Sequence, residues 1–337
     1  MTSKERCLAA IAGEPVDRVP VFPLLMFFAL QRIGITYREF ARNGSSMAAA
    51  QLNIHSRFGV DAITACSDAF RISADLGGEM VFPDDSPPFL ATPLVASAAD
   101  FARLERPDPT TVGCRMADRA VGVKEMVRAV GDRCLVLGWV DMPFAEACSL
   151  CGVTEFMLAL YDEPLLAHRI LDFLADIVID FALLQLEAGA PMIGAGDAAA
   201  SLIGPELYRE FALPYETRVC EAIQAAGGLT KLHICGNTVD LLRDMARTGA
   251  DLFSVDHLVD LAIAREVFGE AGLCYKGNMD PVADMLQATP EHCLKQALTC
   301  IRVAEGTPYM VSPGCEVPGE TPDDVFEALC QAPRQAA

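Results

Sequence analysis

Short apolar runs alternate with longer amphipathic stretches along nearly the whole chain. Eight runs have the length and composition of buried strands: VPVFPL (19–24), DAITAC (61–66), CLVLGWV (134–140), PMIGAGD (191–197), LTKLHIC (229–235), DLFSVDH (251–257), LCYKGNMD (273–280) and YMVSPGC (309–315). Most are bounded by Gly, Asp or Pro, residues that end strands and open turns. Between them lie segments with apolar residues at helical spacing, among them 154–161, 239–248 and 291–304. The longest runs from Pro164 to Ala188. Pro164 suits a first helical turn, and Gly189 stops the helix ahead of Pro191. Strands alternating with helices, with no Gly-rich dinucleotide turn after an early strand, predict an α/β fold of the (β/α)8 TIM-barrel type over a doubly wound sheet. No linker divides the chain, so 1–337 reads as one domain. It carries a short N-terminal helical extension, a Pro-rich loop or lid over 83–93 and a frayed tail over 331–337.

Composition narrows the partners. Apolar residues make up 52% of the chain and charged residues 21%, so a large packed core is expected and disorder is not. The net charge of -20 repels phosphate backbones and anionic lipid, which argues against nucleic acid and membrane surfaces as partners. Residues Thr2 to Arg6 read as a capped helix and not as a secretory signal. The most apolar stretch, 19–30, is too short to span a bilayer and holds Pro20 and Pro23. Thirteen cysteines form an odd set with no framework spacing; they read as reduced thiols in a cytoplasmic protein.

On a barrel, chemistry gathers at the C-terminal ends of the strands. Those ends carry Asp68, Trp139, Asp141, Asp197, His233, Cys235, Asp256, His257, Asn278, Asp280, Cys315 and Glu316. The sharpest feature is the H-x-C pair of His233 and Cys235, because residues two apart on a strand face the same side. A third donor from another strand end would complete a three-ligand zinc site with an open fourth position. Cys315 fits best, since it ends the last strand and follows Gly314, which lets the backbone turn tightly. A buried cysteine is more often a small apolar core residue, so the spacing alone is weak. Two thiolates would neutralise Zn²⁺, so a substrate thiol bound at the open position keeps high electron density as a thiolate; this favours alkyl transfer to sulfur over hydrolysis. His168 and His292 lie on helical segments and His55 precedes a turn; all three read as surface or satisfied core groups, with His257 a second-tier candidate. Asp141 and Asp256 read as caps of the helices that follow. Asp197 ends a strand in the small-residue run GAGDAAAS, where a ligand can approach closely, and Trp139, the only tryptophan, reads as a pocket wall or a core aromatic.

Seven segments in order and spacing resemble the uroporphyrinogen decarboxylase superfamily: ERCLAAIAGEPVDRVPVFP (5–23), SDAF around Asp68, GWVDMPF (138–144), LIGPELYREFALPY (202–215), HICGNT (233–238), GNMDP (277–281) and SPGCEVPGETP (312–322). Within it the chain is most similar to the branch of methylcobalamin:coenzyme M methyltransferases and related corrinoid methyltransferases. That resemblance implies a (β/α)8 barrel, with zinc held by His233, Cys235 and Cys315. It also implies a methyl-corrinoid donor such as methylcobalamin, usually on a separate corrinoid protein, and a small-molecule methyl acceptor activated by zinc. The decarboxylases carry His in a G-H-G context where this chain has Gly314, Cys315 and Glu316. Their Arg-rich R-Q-A-G-R segment is LLMFFALQR here, with only Arg32 at its end. GNMDP and the S-D context of Asp68 lean instead toward the decarboxylase form. The resulting expectation assigns Asp68 and Asp197 to catalysis and Trp139, Asn278, Asp280 and Glu316 to substrate binding. A metal-free decarboxylase centred on Asp68 is the rival; an accessory barrel that binds without turnover is the non-enzyme alternative.

Overall fold

In the computed structural model, which describes residues 1–336, nine strands form: β1 (Ala62–Thr64), β2 (Met80–Val81), β3 (Phe89–Leu90), β4 (Leu135–Asp141), β5 (Met192–Gly196), β6 (Leu229–His233), β7 (Leu252–Ser254), β8 (Cys274–Met279) and β9 (Tyr309–Pro313). Seven of them make one parallel sheet in the order β1-β4-β5-β6-β7-β8-β9. Helices cover the sheet, so its strands are buried on both faces and read as continuous apolar runs with little alternation. The helix Pro164–Glu187 packs Ile170, Leu174, Ile177 and Phe181 inward. From its last turn, Gln185 accepts the Trp139 N–H at 2.8 Å and donates to the Trp139 carbonyl at 3.0 Å, fixing β4 where it enters the site.

The 19–24 run is extended but joins no ladder. It touches β9 through isolated parallel bridges, Val21 with Val311 and Leu24 with Glu316. On its other side the Asp61 N–H donates to the Val21 carbonyl at 2.9 Å. Pro20 and Pro23 have no N–H to give, which explains bridges in place of a ladder. The sheet therefore has seven strands, with this segment lying between its two edges. Its entrance is held by a buried ion cluster: Asp61, fully buried, takes Arg6 at 2.7 Å and Arg18 at 2.7 Å. Arg6 comes from the capped N-terminal helix Ser3–Ile11, which the opening residues predicted.

One expectation is refined and another changes. The Pro-rich 83–93 segment, expected as a loop or lid, is mostly loop, and its Phe89 and Leu90 close an antiparallel hairpin with Met80 and Val81. The segment read as a frayed tail continues the helix Asp323–Ala336, because Val325, Phe326, Leu329 and Ala332 form an apolar face that buries; Ala337 lies outside the described residues. Among the described residues, no single helix is long and apolar enough to cross a membrane.

Candidate active site

β6 ends at His233 in register with Gly196 of β5 and Ser254 of β7. The His233 ring is buried, and its Nδ1 lies 3.1 Å from the Ser254 carbonyl. A carbonyl only accepts, so Nδ1 carries the proton and Nε2 presents its lone pair. That lone pair points at Cys235 Sγ, 3.0 Å away. Strand alternation does not bring the two together, since Cys235 lies beyond the strand end. The turn is made by Gly236, at φ +90°, whose N–H donates to Asp256 at 2.9 Å. Cys315 follows β9 and places its Sγ 3.6 Å from that of Cys235. Gly314 serves by close approach rather than by a left-handed turn: a Cβ there would sit 2.3 Å from the His257 backbone nitrogen.

The donor atoms of His233, Cys235 and Cys315 all lie within 4.8 Å of one another. Tetrahedral zinc, with bonds of about 2.3 Å to sulfur and about 2.0 Å to nitrogen, sets two sulfurs roughly 3.8 Å apart and a nitrogen and a sulfur roughly 3.5 Å apart. The sulfur pair, 3.6 Å apart, is close to that spacing, and the 3.0 Å between His233 Nε2 and Cys235 Sγ must open by about half an ångström. Either sulfur can donate to the other, and this hydrogen bond holds Cys315 below the ordinary thiol range while it and burial push Cys235 up. The trio thus already concentrates negative charge on sulfur, and a divalent cation can take the place of the shared proton.

These side chains open into a cavity of about 730 Å³. Asp68, Asp141, Trp139 and Glu316 line it as well. Asp68 takes Arg115 at 2.8 and 2.7 Å, the Ser67 hydroxyl at 2.7 Å and the Phe70 N–H at 3.1 Å. Burial works to raise its pKa, but Arg115 overrides this and holds the carboxyl well below its ordinary range. Asp141 is not a helix cap, as its sequence position suggested: Met142 occupies the cap position. Asp141 bonds the fully buried Arg71 at 2.6 Å, and burial, partly offset by Arg71, lifts it to about 6. Glu316 accepts the Phe27 and Met26 N–H groups at 2.7 and 3.2 Å, and burial lifts it to about 8. Trp139 lies against bare backbone, since a Cβ on Gly194 would come within 2.6 Å of its ring.

Three expected site residues lie elsewhere. Asp197 is fully buried and does not line the cavity. It sits beside Glu216, which also accepts the Tyr208 hydroxyl; burial and the neighbouring carboxyl push Asp197 up. Asn278 donates its amide to the Asp256 carbonyl at 3.1 Å and to Val259. Asp280 caps the turn Pro281–Leu286, accepting Val282 and Ala283 N–H groups at 2.7 and 3.0 Å. Both support the loops around the site without facing the cavity. Asp256 was read as a helix cap; its carboxylate instead ties the Gly236 turn to Leu258, at 3.0 Å. His168 meets the Tyr215 hydroxyl at 2.8 Å, His292 meets Asp284 at 2.8 Å and His55 meets the Val60 carbonyl at 2.9 Å, so each is satisfied locally. Sequence reasoning missed Arg71 and Arg115, each the first residue of a helix. It also missed Lys231, a buried lysine 4.6 Å from the Trp139 ring that burial brings down to about 8. No spacing signal marks these three.

The family Uroporphyrinogen decarboxylase (URO-D) matches residues 2–336. A methylcobamide:CoM methyltransferase of Methanosarcina acetivorans is 29% identical over 342 residues, covering 98% of this chain and 97% of that protein. A uroporphyrinogen decarboxylase of Hydrogenovibrio crunogenus is 26% identical over 327 residues, covering 92% and 90%. A solved methyltransferase from Methanosarcina mazei shares the fold with a TM-score of 0.90 at 24% identity, covering 99% of both chains. A B12-independent methionine synthase from Shewanella sp. W3-18-1 matches more loosely, at a TM-score of 0.58 and 12% identity over 87% of this chain and 86% of that one.

Proposed function

We propose, for a chain that belongs to the uroporphyrinogen decarboxylase family, a zinc-dependent methyltransferase that moves a methyl group between a corrinoid and a small-molecule thiol. The observation that carries this reading is the convergence of His233 Nε2 with the Cys235 and Cys315 sulfurs, while Nδ1 is tied to the Ser254 carbonyl. A carbonyl behind a ligating imidazole is the usual way to fix its tautomer and orientation. Zinc on this neutralising donor set would leave one position for the acceptor thiol and keep it a thiolate at neutral pH. The methylcobamide:CoM methyltransferase relative, similar end to end, supports the methyl-transfer reading and a methyl-corrinoid donor, free or on a partner protein.

The residues around the trio have separate tasks in this scheme. Asp256 anchors the turn that carries Cys235, so the sulfur holds its place as charge changes. Trp139 and the apolar side chains beside it keep water from the nucleophile. The 19–24 segment lies between the two edges of the seven-stranded sheet, and the site opens beyond the C-terminal ends of the strands, where a corrinoid can approach. In the transfer a sulfur–carbon bond forms, the methyl–corrinoid bond breaks with its electron pair remaining on the corrinoid, and the thiol proton leaves to solvent. A decarboxylase centred on Asp68 fits less well, because that carboxylate is already bonded to Arg115, Ser67 and a backbone N–H. All thirteen cysteines are free, which suits a reducing, cytoplasmic setting.

Metal analysis of the purified protein tests the reading. About one zinc per chain, lost in the Cys235→Ala, Cys315→Ala double variant, is the expected result. Methyl transfer from methylcobalamin to a thiol should disappear with it. A protein that takes up no zinc under reducing conditions would end the proposal and return attention to Asp68.

A further inference from the structure

The cavity that holds the trio has an unusual charge pattern for a site that receives a small thiol. Its lining includes the carboxyl groups of Asp68, Asp141 and Glu316, and among the described residues no lysine or arginine lines it. The guanidinium groups that bond the lining carboxyls are already committed, and Lys231 is buried against the Trp139 ring, off the walls. Arg115 holds Asp68 through two bonds, and Arg71 holds Asp141 from a fully buried position. Arg32, the one cation in the segment after the first apolar run, turns away to Asp323, Gly319 and Thr321. That segment instead supplies Leu24 and Met26 to the lining, and Phe70, Phe89, Leu90 and Val153 continue an apolar surface toward the mouth.

An anion entering this space would lose water, meet carboxyl oxygens and find no cation on the walls. We propose that this cavity accepts a thiol with an uncharged, apolar body and rejects thiols that carry a sulfonate, carboxylate or phosphate. The inference rests on the methyltransferase reading and sharpens it, because an apolar lining without a cation, not the metal, selects the acceptor. Sulfur binds at the trio, and the remainder of the molecule lies along the apolar surface, displacing water that makes few hydrogen bonds there. The committed arginines keep the carboxylates in place without offering an anion site.

The test compares thiols of similar length on the zinc-loaded protein: 1-propanethiol, 2-mercaptoethanol and 2-mercaptoethanesulfonate. Calorimetric titration at pH 7 reads affinity directly, and methyl transfer from methylcobalamin is measured alongside. Propanethiol should bind about tenfold or more tightly than the sulfonate, a difference set by one unmatched charge. Phe89→Arg, at a half-exposed lining position on β3, should move the ratio toward the sulfonate by about tenfold. A sulfonate that binds the unaltered protein as tightly as propanethiol overturns the inference while leaving the methyltransferase reading intact, and so does an unchanged ratio in a folded Phe89→Arg protein. If no thiol of any charge binds or accepts methyl, the methyltransferase reading itself fails and takes the inference with it.

Discussion

Two sides of one cavity treat buried negative charge in opposite ways. On one side His233, Cys235 and Cys315 bond only to one another and to the Ser254 carbonyl, with no arginine or lysine bonded to them. On the other side Asp68 and Asp141 each have an arginine of their own. Buried charge is costly unless it is paired. The carboxylates are paired from within the chain, so they are finished as structure. The thiols have no such partner, and in the proposed scheme a cation from outside completes them. The comparison therefore separates acids paired within the chain from donors left for a ligand, a distinction that residue type alone does not make.

The strongest way to break this contrast is to remove one sulfur. Cys315→Ala should abolish zinc binding and lower methyl transfer by roughly a thousandfold or more, the scale of losing a directly acting group; retained zinc with normal turnover would erase the distinction. Next comes the paired side. Arg115→Met leaves Asp68 buried without its partner and should cost about 3–5 kcal/mol in urea unfolding. Adding Asp68→Asn should restore most of that loss, since the unpaired charge goes with it. If Arg115→Met unfolds at the wild-type midpoint, the pair is not structural.

A third treatment of buried acid sharpens the contrast. Asp197 and Glu216 have no cation at all, and burial lifts Glu216 from 4.5 to about 7. A raised folded pKa means the native state holds the proton longer than the unfolded chain does. This contribution to stability is therefore full below about pH 4.5 and is lost as pH rises to about 7. Glu216→Gln should reduce that slope, worth up to about 3 kcal/mol, with the buried Asp197 keeping its own share, and thermal or urea melts across this range read it. A wild-type profile that stays flat there would mean the pair is not protonated. The smallest effect concerns Asp280, which caps a turn outside the cavity. Asp280→Ala should cost about 1 kcal/mol of stability and leave zinc content and methyl transfer unchanged. Weaker thiol binding in that variant would return Asp280 to the site.

Much of this was legible in order along the chain. Every predicted strand from 61 onward appears within a few residues of its expected bounds, because buried parallel strands leave apolar runs closed by Asp, Gly or Pro. The trio was legible too, although alternation was the wrong reason for Cys235: a turn beyond β6 delivers its sulfur. Asp141 was misread because a cap and a buried ion-pair partner occupy the same place after a strand, and only Arg71, seventy residues away, tells them apart. Asp197 lies off the cavity for the converse reason. A strand-end carboxylate can enter the layer behind the sheet as readily as the cavity, and the position of Glu216 on the helix Leu213–Ala225 decides which.

The sequence by itself determined the alternation of strand and helix, the donor chemistry of His233, Cys235 and Cys315, and the absence of an Arg-rich segment after the first apolar run. These are properties of residue type and local spacing, so they survive without a fold. The tertiary structure alone decided which strand-end acids meet a counter-charge, which face the cavity and which are sealed away. Those outcomes depend on partners tens to hundreds of residues distant, such as Arg115 for Asp68, or the backbone of Phe27 for Glu316. Electrostatic energy is set by distance in space and by burial, and neither is written in the order of residues.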